Sequence, residues 1–184
     1  MVKTLTTTIN LIHYYLFKSW INDFKKVDFI ISKYFPGIRP QVTLPSNEMF
    51  LLLKEEGMRK MISDFYDLLI ESEIKELFPK NPIALEKAKE HSADFFIQIC
   101  GGPAYFNKHR GQPKLNQRHL PFKITAEGRE VWLNCFKSVL QRLNLPENVL
   151  QSFWNYLDVF SKWMVNSWID SPKIKLSLQI SFYV

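Results

Sequence analysis

The chain has 184 residues and a formal net charge of +6, a length that suits one main domain with a substantial core. Hydrophobic residues make up 46% of it and aromatics 15%, including fifteen Phe and five Trp, which excludes a disordered or collagen-like polymer. No run reaches the ~20 apolar residues that a membrane-spanning helix requires, and the apolar stretch Ile9 to Phe17 is interrupted by Asn10 and His13 and lacks a small-residue cleavage site, so a cytoplasmic protein is expected.

In chain order, Trp20, Ile21, Phe24, Val27, Ile31 and Tyr34 recur at helical spacing with Lys25 and Lys26 between them, which predicts an amphipathic helix in an N-terminal extension, residues 1–45. Pro36, Gly37 and Pro40 end it. A domain over residues 46–170 is then expected, opened by Ser46 or Asn47 as a helix N-cap before Phe50, Leu51 and Leu53. Gly57 is expected to break this first helix. Met58 to Ile70 places Met58, Met61, Ile62, Phe65, Leu68 and Leu69 on one side of a second, and a short turn of helix from Glu71 stops at Phe78-Pro79. Pro82 suits the first turn of a helix that runs to Cys100 and ends at Gly101-Gly102-Pro103. From Pro103 to Phe122 periodicity is lost, and a turn or two of helix around Lys114 to His119 is the most this loop predicts. Thr125 opens a helix to about Leu143, and Pro146 opens another to about Trp168. The fold class is all-α. In the tail, residues 171–184, Ile174, Leu176, Leu178, Ile180, Phe182 and Val184 alternate with polar residues at the period of a half-buried strand. Such a short strand would pair with the N-terminal extension, pair with a second copy in a homodimer, or stay disordered.

Charge is unevenly placed. Between Asp94 and Glu127 there is no acidic residue, while Lys108, Arg110, Lys114, Arg118 and Lys123 all fall there, together with His109 and His119. A lone histidine in a Pro/Gly-rich loop is more often a surface residue than a metal ligand, and Tyr66 and Trp132, on apolar helical faces, read as core packing when taken alone. Cys100 and Cys135 lie far apart in apolar stretches without a CxxC spacing and read as reduced core thiols. His109 and His13 have no evident partner.

The succession Gly101-Gly102-Pro103, Gly111-Gln112-Pro113-Lys114-Leu115, Arg118-His119-Leu120-Pro121-Phe122, then Arg129, Trp132-Leu133 and Cys135 resembles the signature of group II truncated haemoglobins. The likeness runs ungapped through this segment and extends more loosely to the Phe65-Tyr66 pair, covering roughly Phe50 to Trp168. It implies a two-over-two helical sandwich around haem b, with His119 as the proximal iron ligand and the opposite face of a five-coordinate iron open to O2, NO or CO. Tyr66 and Trp132 match distal hydrogen-bond donors, and Phe78 matches an aromatic that packs on haem. By the same resemblance Phe96, Leu115 and Phe122 line the cofactor, and Arg110 and Arg118 stand near its propionates. Counting back from Gly101, Ala88 and Ser92 face the distal iron site, with His91 either a helix-surface residue or, in a shifted register, a sixth ligand. Two departures fall at the propionate end: Asn116 stands where an arginine is usual, and Phe106 where the family has tyrosine, with Tyr105 one place earlier. Lys114 would be the compensating cation.

Three functions are compatible with these residues. A gas-binding globin that stores, scavenges or senses oxygen comes first. A nitric-oxide dioxygenase or peroxidase-like enzyme of the same site comes second; with no flavin or nicotinamide motif in the chain, its reductase would be a separate protein. A basic loop that binds nucleic acid or anionic lipid without haem comes last.

Overall fold

The computed structural model describes residues 27–167. They form six α-helices: α1 Glu48–Leu69, α2 Pro82–Ile99, α3 Tyr105–Arg110, α4 Leu115–His119, α5 Ala126–Leu140 and α6 Glu147–Lys162, with one turn of 3-10 helix at Lys75–Leu77. The expected C-terminal strand, and the expected N-terminal helix before residue 27, lie outside the described residues.

Local chemistry sets the helix starts. Asn81 caps α2 by accepting the Ala84 N–H at 3.1 Å, with Pro82 in the first turn, and Thr125 caps α5 by accepting from Gly128. The long helix α1 is not straight. Its break falls at Lys54 (φ 56°, ψ −175°), three residues before the expected Gly57, which stays helical. Packing requires the break: Met49 and Met58 are both fully buried, yet nine residues apart on an unbroken helix would put them about half a turn apart, on opposite faces. The turn between α1 and α2 tightens to the single 3-10 element rather than a third short helix.

The helices pack as two pairs. Helix α1 lies on α2, α5 lies on α6, and α1 touches both members of the second pair, so that the pairs stack two over two. Phe65 of α1 and Phe136 of α5 stack face to face at 3.6 Å between centroids, and Phe136 meets Phe96 of α2 and Phe153 of α6 edge-on. One aromatic cluster therefore joins all four helices. At Gly102 the chain passes so close to α1 that a Cβ would sit 2.8 Å from the Phe50 ring and 2.7 Å from Ile97.

Residues 27–47 are not the continuation of an amphipathic helix. They form an irregular strap across α5 and α6, because partners from those helices take the backbone groups that helical bonding would use. Trp154 donates its indole N–H to Ile30 O at 2.9 Å, Lys137 donates to Phe29 O at 3.0 Å, and the Ser32 N–H donates to Asp158 Oδ1 at 3.0 Å. Phe29 itself is buried against Trp154, centroids 4.9 Å apart.

The strap, α5 and α6 meet at a buried ion pair. Arg129, 2% exposed, donates to the carboxylate and the carbonyl of Asp158, to Ser161 Oγ at 2.9 Å and to Ser32 O at 3.1 Å, while Ser32 Oγ donates to the other carboxylate oxygen. Removing one partner leaves a charge buried without compensation. Asp158→Ala is expected to destabilise the chain by about 3–5 kcal/mol in urea unfolding. The double change Arg129→Met with Asp158→Leu should recover most of that loss; equal stability of Asp158→Ala and the unaltered chain would show that the pair holds nothing.

Candidate functional site

Between the two helix pairs and the α3–α5 connection lies a cavity of about 580 Å3, within the few hundred to a thousand Å3 usual for cofactor sites. His119 sits on its wall at the end of α4. The local sequence explains the placement. Gly111 ends α3 with φ +69°, a left-handed value that a glycine adopts without strain, Pro113 and Lys114 redirect the chain into α4, and Pro121 prevents that helix from continuing. The ring Nδ1 of His119 lies 2.7 Å from Leu115 O. A carbonyl can only accept, so Nδ1 carries the proton and Nε2 keeps a lone pair for a metal.

The residues that the resemblance assigns to the haem site line the same cavity: Tyr66 from α1, Phe78 from the extended residue after the 3-10 turn, Ala88, Ser92 and Phe96 from α2, Arg110 and Leu115 from the ends of α3 and α4, then Arg118, Phe122 and Trp132. His91 is on the wall as well. The Phe65 ring lies edge-on to both Tyr66 (5.9 Å) and Trp132 (5.5 Å), and Phe78 lies edge-on to Tyr66 at 5.7 Å, which fixes the two polar aromatics in one apolar wall. Burial pushes the Tyr66 hydroxyl above its ordinary pKa, partly offset by its hydrogen bond with Ser92. Tyr66 is thus a protonated donor at neutral pH. Ile74, Phe95 and Ile124 also line the cavity and carry no chemical signature beyond apolar character, and Phe160 and Met164 join them from the inner side of α6 and the turn after it.

The basic end of the cavity differs from expectation. Arg118 donates Nε to Pro113 O and Nη2 to Arg110 O, both at 2.8 Å, and more weakly to Gln112 O at 3.3 Å, so that its guanidinium chiefly organises the α3–α4 turn. Its face lies over the Phe106 ring at 5.5 Å, as does that of Arg110 at 5.9 Å. Phe106, standing where the resemblance has tyrosine, provides this platform from a buried position. Arg110 donates to His91 Nδ1; burial, with this cation beside it, holds the His91 imidazole below its ordinary pKa. Lys114 and Asn116 do not reach the cavity. They line a separate open groove with Arg39, Gln117 and Leu120 that shares only Leu115 with the cavity wall, so Lys114 is not the compensating cation.

His109, without an evident partner in the sequence, accompanies a network outside the cavity. Its Nδ1 lies 2.8 Å from Asp94 Oδ2, Arg59 donates to Asp94 and Glu55 at 2.9 Å each, and the Tyr105 hydroxyl donates to Glu55 at 2.9 Å. These contacts bind α1, α2 and α3 together. Burial drives the Cys100 thiol up to about 12, which fits an inert core residue. Among the described residues no cluster of three or more His, Cys, Asp or Glu could hold a metal, and no helix is long and apolar enough to cross a membrane.

The residues present fit haem. A flat apolar macrocycle matches the aromatic walls, His119 Nε2 would supply a nitrogen ligand for its iron, and the Arg110 guanidinium on the same wall would suit its carboxylates. Arg118→Met is expected to loosen the α3–α4 turn, with amide exchange at residues 110–114 accelerated several-fold while α1 and α6 exchange as before; unchanged exchange there would assign the turn to other contacts.

Residues 53–166 match the family model described as bacterial-like globin. The chain is 28% identical to the group 2 truncated haemoglobin YjbI of Bacillus subtilis over 121 residues, which is 65% of this chain and 89% of that one. Among solved structures it resembles phosphate-bound Hell's gate globin IV (34% identity, TM-score 0.70, 84% of this chain and 99% of that chain). It is also similar to the haemoglobin of Chloroflexus aurantiacus (30% identity, TM-score 0.60, 66% and 98%). The chain belongs to the bacterial-like globin family, as a truncated haemoglobin of group II.

Proposed function

We propose that this chain holds haem b through His119 Nε2 as a five-coordinate iron and reversibly binds oxygen on the opposite face, for storage, scavenging or sensing. The observation that carries the reading is the His119 Nδ1 to Leu115 O bond, which selects the tautomer able to ligate and orients the ring at the wall of an apolar cavity. Haem, when bound, supplies an iron that takes up O2, NO or CO.

The chain's own residues set selectivity. Tyr66 offers a hydroxyl whose proton is retained by desolvation, with Ser92 beside it on the cavity wall. Trp132 carries its indole donor on the adjacent helix, with the Phe65 ring between the two. In an apolar enclosure such donors hold a ligand that gathers negative charge far more strongly than they would in water, which favours O2 over CO. Ala88, small and on the wall, leaves space for entry from the α2 side. His91, engaged by Arg110, serves the cavity's polar end rather than the metal. A reductant, where one is needed, comes from a separate protein.

Addition of haem to the purified chain is expected to give a Soret band and a five-coordinate ferrous spectrum. His119→Ala should lose stable haem uptake, and an unchanged ferrous-CO spectrum and affinity in that variant would overturn the assignment. Tyr66→Phe removes one hydrogen bond from an apolar site, so oxygen release measured by stopped flow should accelerate about 10-fold or more. An unaltered rate would remove Tyr66 from ligand control.

A further inference from the structure

Helix α4 is five residues long, too short to hold its own position, and its last carbonyls lack helical partners. Those needs are met from the far end of the domain. Asn166, four residues past α6, donates Nδ2 to His119 O at 3.1 Å and to Phe122 O at 2.9 Å, and accepts the Ile124 N–H on Oδ1 at 3.0 Å. The backbone closes the same joint, with the N–H groups of Asn166 and Ser167 both donating to Ile124 O at 3.0 Å. The side-chain amide uses both kinds of hydrogen-bonding group at once, two donations and two acceptances, the second from the Ser167 hydroxyl at 3.1 Å, which no hydroxyl, carboxylate or ammonium reproduces.

The imidazole and its acceptor, Leu115 O, belong to one helical turn and move as a unit. What fixes that unit against the rest of the molecule at its C-terminal end is Asn166. We propose that Asn166 is a positioning residue for the haem ligand, setting through the His119 and Phe122 carbonyls where the imidazole stands and hence how firmly it holds iron. The proposal rests on the haem reading of His119. Loss of the amide lets α4 shift relative to the cavity while the Nδ1 bond within it survives, so the metal bond weakens without disappearing.

The test uses the full chain loaded with haem. Asn166→Ala is expected to bind haem stoichiometrically, to release it to excess apomyoglobin about tenfold faster, as the loss of one or two hydrogen bonds supplies, and to broaden and shift the iron–histidine stretching band in resonance Raman of the ferrous form. A loss rate and band equal to those of the unaltered chain would overturn the proposal. So would a lowered melting temperature of the haem-free chain with the band unmoved, the signature of a merely structural residue. If Asn166→Ala does not fold, Asn166→Ser, which keeps a single hydroxyl, is measured by the same two readouts with the same criteria. Absence of any Soret band in the unaltered chain would defeat the haem reading itself; an iron–histidine band that His119→Gly abolishes and Asn166→Ala leaves untouched would defeat this proposal alone.

Discussion

A guanidinium with 2% exposure has to find its counter-charge inside the protein, and Arg129 finds it in Asp158, one helix away. That requirement organises much of the molecule. It sets the register of α5 against α6 and draws the Ser32 backbone into the same site. Arg129 and Ser161 also form part of the cavity wall. A polar side chain facing a cofactor space is costly unless its donors are already satisfied, and here Nε, Nη1 and Nη2 each have an acceptor. The wall therefore behaves as apolar although it contains an arginine.

How much of this could be read from the sequence depended on whether the signal was local. The capped helices α2 and α5 carry their starts in Asn81-Pro82 and Thr125, side chains that act within three residues. The cavity residues His119, Tyr66 and Trp132 were legible only as members of a family pattern, since each alone looks like a surface or core residue. What the sequence hid was decided at long range. The break at Lys54 has no glycine or proline to announce it and follows from burying both Met49 and Met58. Helix α3 falls where periodicity is lost between Pro103 and Phe122, and no side chain caps it; the Phe106 ring against Phe95 and the Asp94 bond to His109 hold it instead. Helical spacing from Val27 to Tyr34 pointed to a helix, and the competing partners Trp154, Lys137 and Asp158 overrode it.

The two ends of the cavity follow different rules. The inner end is aromatic, with Phe65, Tyr66, Phe78 and Trp132 in edge-on contact, a geometry that tolerates little change in ring position. At the outer end two arginines share the Phe106 ring, one of them committed to backbone carbonyls and the other to His91. A phenylalanine platform there separates cation placement from tyrosine chemistry. Arg110 and His91 form the one cation–imidazole pair described on the cavity wall.

The strap has a consequence for how the domain assembles. Ser32 and Asp158 are 126 residues apart in sequence, and Trp154 reaches Ile30 across 124. Contacts of such separation close a very long loop and return their stabilisation only once the helices they bridge are already in place. The family match begins at residue 53, yet Trp154, Asp158 and Arg129 all reach chain that precedes it. The minimal folding unit of this protein is thus longer than its globin helices, and docking of the first described residues is the late step that seals the α5–α6 face.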